Sequence, residues 1–393
     1  MAGSVGRIAV LLASVATALF NVSPSAIPSS VDAFCSTTKV RSVVPYDVAD
    51  TPRKIACRSD IGCNMGVQVV DNEVAVNEKH VGSRIHRLAK KGTRVRVFYP
   101  TTKEAAERAA SGQENLEYAP YGTDGRSLGL GVSLAKVSSG CVQDAPLAYR
   151  TKDCRGNATT TLPLLIYSHG IEGNMDAATH LFRSVAKHGV VVAALEHTDG
   201  TATSTVRQDG TEMRFSPYML TERRQLAWRA QELLEAVDLL PDKLDSWFEK
   251  KNVVGPVVLG GHGYGGTSAV MAANGAPKNS TVCGLILHDP TLGMGYGMLP
   301  PNKAYNRLPA VTYVSDKYNR AGKRYGARTL HVRGGRHESF LDTPLWGGLP
   351  RWAQSADPLE VHEQLAESMA AFVSTRDATS SQVAKGSLLE IVR

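Results

Sequence analysis

Six short apolar runs, at residues 162–167, 190–195, 257–259, 283–287, 310–314 and 328–332, constrain the fold of this chain more than any other feature. They are too short for buried helices, and most lack the apolar/polar alternation of a strand with one wet face. Strands buried on both sides read this way, and such strands belong to a parallel sheet with helices on each face. Between the second and third runs Met219, Leu226, Ala230, Leu233, Leu234, Val237 and Leu240 recur at helical spacing, which predicts one long helix. A closing helix is predicted over 359–373. Upstream, Val95, Val97 and Tyr99 alternate with Arg94 and Arg96, the pattern of a half-buried strand over 93–99. Residues 101–160 are rich in Gly, Ser, Thr and Asp and read as a surface insertion. The expected fold class is therefore α/β, as one domain over 34–375 followed by a polar tail at 376–393.

A length of 393 residues suits a single α/β core with loop insertions. The net charge of +7 is spread along the chain, with one denser stretch over 79–96. That stretch carries Lys79, Arg84, Arg87, Lys90, Lys91, Arg94 and Arg96 and is expected to be a solvated loop and strand face, with attraction to an anionic membrane surface as the other reading. No nucleic-acid motif accompanies it. The first 26 residues have the layout of a secretory signal peptide: Arg7, an apolar segment over 8–20, then small residues suited to cleavage after Ala18, Ala26 or Ala33. A retained anchor is the other reading, although the apolar segment is short for a membrane span. Two acceptor triplets begin at Asn157 and Asn279, compatible with passage through the secretory pathway. The six cysteines lack zinc-ligand pairing, and Cys57 with Cys63 and Cys141 with Cys154 are expected disulfides in an oxidising compartment. The histidines form no ligand set, so neither metal nor cofactor is expected.

The third run leads into Gly261-His262-Gly263-Tyr264-Gly265-Gly266, and Thr267 to Asn274 reads as a helix. Strand, sharp turn and helix fall where the G-x-S-x-G nucleophile elbow requires them, but the nucleophile position holds glycine. A serine there occupies a strained backbone at a cost of roughly 1 to 3 kcal/mol. Gly263 relieves that strain and leaves no oxygen to attack a carbonyl. Thr267 and Ser268 lie inside the helix, about a turn from the elbow tip, and are poor substitutes.

In an open parallel sheet, functional groups collect at the carboxyl ends of the strands. The run at 162–167 exits into Ser168-His169-Gly170-Ile171, the kind of loop that lends one backbone amide to an oxyanion hole, the second donor being the amide of Tyr264. The run at 283–287 exits at His288-Asp289, and that at 328–332 at Gly334-Gly335-Arg336-His337. Position 263, Asp289 and His337 thus follow the order nucleophile, acid, base of α/β-hydrolases. The types suit the chemistry: imidazole moves a proton near neutral pH, and a buried carboxylate holds its tautomer and stabilises the imidazolium. Asp316, at the exit of the 310–314 run, competes for the acid role. His197 and Asp199 leave another strand, either to shape the pocket or as a hydrogen-bonded loop pair, while His169 and Ser168 are expected to hold their own turn.

The segments Leu164-Leu165-Ile166-Tyr167-Ser168-His169-Gly170, Val192-Ala193-Ala194-Leu195-Glu196-His197-Thr198-Asp199, the elbow, Leu287-His288-Asp289 and Gly334-Gly335-Arg336-His337-Glu338-Ser339-Phe340 together resemble the secreted platelet-activating factor acetylhydrolases. The resemblance runs from about Val95 to Phe372, poorly over 101–160. It implies an α/β-hydrolase fold and a calcium-independent phospholipase A2 that removes short or oxidised sn-2 acyl groups. Phospholipid or a short-chain ester would be its partner, with peripheral contact to a membrane or lipid particle. It further implies Asp289 as acid, His337 as base, and Ile171 and Tyr264 as oxyanion donors. Gly263 departs from the pattern, leaving three expectations: weak hydrolysis by water, a catalytically inactive lipid- or ester-binding homologue, or a substitution peculiar to this sequence.

Overall fold

The computed structural model describes residues 67–68, 80–112, 117–122, 137–147, 151–153, 158–159, 161–216, 223–277, 279–292, 307–346, 356–377 and 386–392. The expected signal peptide, Cys57, Cys63, Cys154 and Asn157 lie outside them. Cys141 is buried and free, and Asn279 is exposed. No helix among the described residues is long and apolar enough to cross a membrane.

Among the described residues the central sheet has eleven strands. In chain order they are β1 (Val81–Arg87), β2 (Arg94–Pro100), β3 (Tyr118–Pro120), β4 (Ser138–Gln143), β5 (Leu162–Ser168), β6 (Val191–Glu196), β7 (Val254–His262), β8 (Val282–His288), β9 (Ala310–Val314), β10 (Arg328–Val332) and β11 (Leu389–Ile391). Their spatial order is β11-β10-β9-β8-β7-β5-β6-β2-β1-β4-β3. The six strands from β10 to β6 are mutually parallel and correspond to the six apolar runs. Along β5 the side chains alternate between faces: Leu165 and Tyr167 enter one core, and Leu164 and Ile166 the other. The first core is closed by helices α2 (Thr179–Lys187) and α5 (Pro358–Thr375), the second by α3 (Arg223–Phe248) and α4 (Tyr264–Gly275). With apolar groups on both faces, each strand can be buried only between two helical layers, so this is the α/β architecture expected from the runs.

Three expectations need correction. The segment at 101–160 is not only a surface insertion, because β3 and β4 extend the sheet and helix α1 (Lys103–Ser111), capped by Thr102, packs beside β4. The tail at 376–393 is not merely a polar end, because β11 pairs antiparallel with β10 and covers that sheet edge. The basic stretch is not all solvated. Arg96 is buried, with Nη1 2.6 Å from Asp176 Oδ1 and further bonds to the carbonyls of Pro120 and Tyr121. Arg94 is buried 3.7 Å from Glu196. A buried guanidinium persists only when paired and hydrogen-bonded, and these partners come from segments distant in the chain.

Candidate active site

Strand β7 turns into α4 through Gly263, whose φ of 53° and ψ of −115° leave the ordinary regions of L-residues. The flanking glycines make the turn sharp: a Cβ on Gly261 would lie 2.3 Å from the Gly265 carbonyl carbon, and one on Gly265 would lie 2.0 Å from the Ser168 carbonyl oxygen. The elbow is therefore pressed against the exit of β5. It is also stitched to the exit of β8, since the Gly263 amide donates to the His288 carbonyl at 2.9 Å and the Thr291 amide to the Gly263 carbonyl at 3.2 Å.

Asp289 begins the loop after β8 at a φ of 40°, a left-handed backbone that aspartate tolerates better than most residues. Its amide donates to the Tyr313 carbonyl at 3.0 Å, and its side chain is fully buried. Oδ1 accepts from the Ser315 amide at 2.8 Å, while Oδ2 lies 3.1 Å from His337 Nδ1. A carboxylate can only accept here, so Nδ1 carries the proton and the other ring nitrogen is left as the base. That nitrogen, Nε2, lies 3.3 Å from where a Cβ on residue 263 would stand.

His337 opens a short 3-10 turn (His337–Phe340) with its side chain 37% exposed. Its carbonyl accepts from His262 Nε2 at 2.9 Å, and the two imidazoles lie against each other with centroids 4.1 Å apart and planes tilted by 36°. Tyr318 stacks on His337 at 5.9 Å. Position 263, Asp289 and His337 are thus brought together. Asp316 is directed elsewhere: its Oδ1 lies 2.8 Å from His331 Nε2 and accepts from the Gly334 amide at 3.0 Å. The hydroxyls nearest in sequence are also engaged, Thr267 with Thr291 at 2.9 Å and Ser268 with the Tyr264 carbonyl at 2.9 Å.

Ile171 follows β5 in the loop facing the elbow, and Tyr264 is the first residue of α4, in the turn where helix amides lack intrahelical acceptors. Behind them lies a buried polar layer whose bonding pattern the sequence did not reveal. Ser168 Oγ is 2.7 Å from His197 Nε2, and His197 Nδ1 is 2.6 Å from Glu232 Oε2. Asp199 pairs with Arg229 at 2.9 Å. His197 and Asp199 are accordingly buried, bonded residues of this layer. Glu232 and Arg229 sit three residues apart on α3, a spacing that puts both on one helix face.

Burial holds six histidines around the site below their ordinary range: His169 and His262 well below, His197 below, His180 at about 2, His288 at about 3 and His362 at about 4. These histidines take up protons near pH 6.5 when unfolded but not when folded, so their contribution is present above pH 6.5 and is lost as pH falls. Each removes up to about 1.4 kcal/mol per pH unit. Asp342 acts oppositely, because burial raises its carboxyl to about 7 and the folded state gains by protonating it as pH falls toward 4. Six groups outweigh one. The thermal unfolding midpoint is expected to drop by about 10 °C or more between pH 7 and 5 in calorimetry; a flat profile would contradict the assignment of neutral buried histidines.

The doubly covered, mostly parallel sheet with an elbow between β7 and α4 defines the α/β-hydrolase class. A solved structure with this fold is the ferulic acid esterase from Streptomyces cinnamoneus, matched at a TM-score of 0.58 and 19% identity over 80% of this chain and 96% of that one. Residues 78–256 match the family model of platelet-activating factor acetylhydrolase, isoform II. It is 24% identical over 221 residues to the platelet-activating factor acetylhydrolase of Bos taurus, which covers 46% of this chain. That match spans 48% of the bovine protein, about half its length. The family match ends before the elbow, so the geometry of residues 263, 289 and 337 stands independently of it.

Proposed function

We propose that this chain is a phospholipid-directed carboxylic ester hydrolase that removes short or oxidised sn-2 acyl groups, with Asp289 and His337 acting on water because residue 263 carries no hydroxyl. The observation that carries the reading is the His337 Nδ1 to Asp289 Oδ2 contact of 3.1 Å, with Nε2 turned toward the elbow. In this reaction His337 Nε2 takes a proton from water as the water oxygen bonds to the ester carbonyl carbon. The amides of Ile171 and Tyr264 hold the resulting oxyanion. Collapse breaks the bond to the glycerol oxygen, which leaves with the proton from the imidazolium, giving a carboxylic acid and a lysophospholipid. The family-model match over residues 78–256 supports the substrate class, and the apolar segment near the N-terminus supports entry into the secretory pathway.

Serine hydrolases lacking a triad member retain roughly 10³ to 10⁴-fold acceleration over water, so slow turnover is expected. Acetate release from a short-chain sn-2 phospholipid should be measurable with the unmodified chain and fall to background with His337→Ala. A second reading, a non-catalytic ester- or lipid-binding protein, is favoured by Gly263 itself. Saturable binding of the phospholipid with no acetate released by the unmodified chain would decide for it.

A further inference from the structure

We propose that Arg229 is a positioning residue that sets both backbone donors of the oxyanion site, an inference resting on the assignment of the Ile171 and Tyr264 amides to that role. Arg229 is a fully buried arginine on α3, outside the elbow and the acid and histidine loops. Its guanidinium reaches both arms of the site. Toward the first arm, Nη1 donates to the His169 carbonyl at 2.6 Å, two residues before Ile171. On the other flank of Ile171, the Glu172 amide donates to the Thr201 carbonyl at 2.8 Å. The hydroxyl of Thr201 accepts from Arg229 Nη2 and from Nε at 3.1 Å, and it donates to Asp199 Oδ1 at 2.6 Å. Toward the second arm, the guanidinium carbon lies 5.0 Å from the centroid of the Tyr264 ring.

The loop carrying Ile171 is thus held on both sides by groups that converge on one side chain, which also packs on the residue carrying the other donor. The turn needs such support, because Glu172 has a φ of 58° and relaxes unless bonded in place. Arginine suits the task because its planar fork has five donors in fixed directions, which lysine's single ammonium cannot reproduce. Asp199, 2.9 Å from Nε, balances the buried charge.

Arg229→Lys keeps that charge and breaks the fork; Thr201→Val removes one anchor and no charge, and serves if the first variant folds poorly. Both are made in the Gly263→Ser background, with kcat and KM measured on a short-chain phospholipid and affinity measured for an alkyl trifluoromethyl ketone, whose adduct carries the oxyanion. Arg229→Lys is expected to lower kcat by about ten- to a hundredfold with KM within about threefold, and to weaken the ketone in parallel. Thr201→Val is expected to act in the same direction, more weakly. Hydrogen exchange is measured on both variants in the otherwise unmodified chain, where amides 170–173 are expected to exchange faster while β7 and β8 do not change. A kcat within twofold of the parent, a rise in KM alone, or exchange that rises evenly across the sheet would overturn the proposal. If Gly263→Ser is itself inactive the hydrolase reading fails, and the exchange pattern still decides whether Arg229 braces the loop.

Discussion

Gly263→Ser is expected to raise ester turnover by on the order of 10³-fold or more, since loss of the nucleophile in serine hydrolases removes nearly all acceleration beyond what binding and the oxyanion donors supply. A Cβ at this position would stand 3.3 Å from His337 Nε2, so a hydroxyl one bond further can come within hydrogen-bonding reach of the base. Two costs oppose it. The backbone at a φ of 53° strains any residue with a side chain, by about 1 to 3 kcal/mol. The Cβ is also tight against the imidazole, although a histidine 37% exposed can shift by the few tenths of an ångström required. The variant should therefore unfold at lower urea while hydrolysing far faster. A variant that folds and gains no activity on phospholipid or simple acetate esters would refute the inherited site.

In that background Asp289→Asn is expected to lower kcat by about 10⁴-fold. Both carboxylate oxygens of Asp289 face donors, the Ser315 amide at 2.8 Å and His337 Nδ1 at 3.1 Å. An asparagine offers only one acceptor head, so its amide group must face one of those donors or force the imidazole into the wrong tautomer. Asp316→Asn should change kcat by less than about threefold, because Asp316 is bound to His331 and the Gly334 amide rather than to His337. Steady-state kinetics on the two variants separate the candidate acids. A larger loss from Asp316→Asn than from Asp289→Asn would reverse the assignment.

Both expectations depend on residues whose types were legible in the sequence and whose bonds were not. Asp289 and Asp316 each follow an apolar strand, and nothing local distinguishes them. The register of β8 against β9 and the turn at Ser315 give one a buried amide and a histidine, while β10 gives the other His331. The core of the sheet was legible because a strand buried on both faces must be apolar throughout. Its edges were harder: β3, β4 and β11 are short, half-exposed and lack any run, and they are strands only because a neighbour supplies their hydrogen bonds. Strand β7 also begins earlier than the 257–259 run suggests, because Val254 pairs with Leu162 of β5 ahead of a register irregularity at Gly255 and Pro256. Helix α3 likewise runs past its predicted end, through Pro241 to Phe248.

By itself the sequence determined the α/β class, the elbow and its missing hydroxyl, and the order of position 263, Asp289 and His337. These are properties of residue type and local periodicity, which act over a few neighbours along the chain. Only the tertiary structure decided which carboxylate meets the imidazole, why Arg96 and Arg229 are buried, and how α3 braces the loop before Ile171. A buried charge or an oriented proton carrier is defined by partners tens or hundreds of residues away, and folding alone brings those partners within hydrogen-bonding distance.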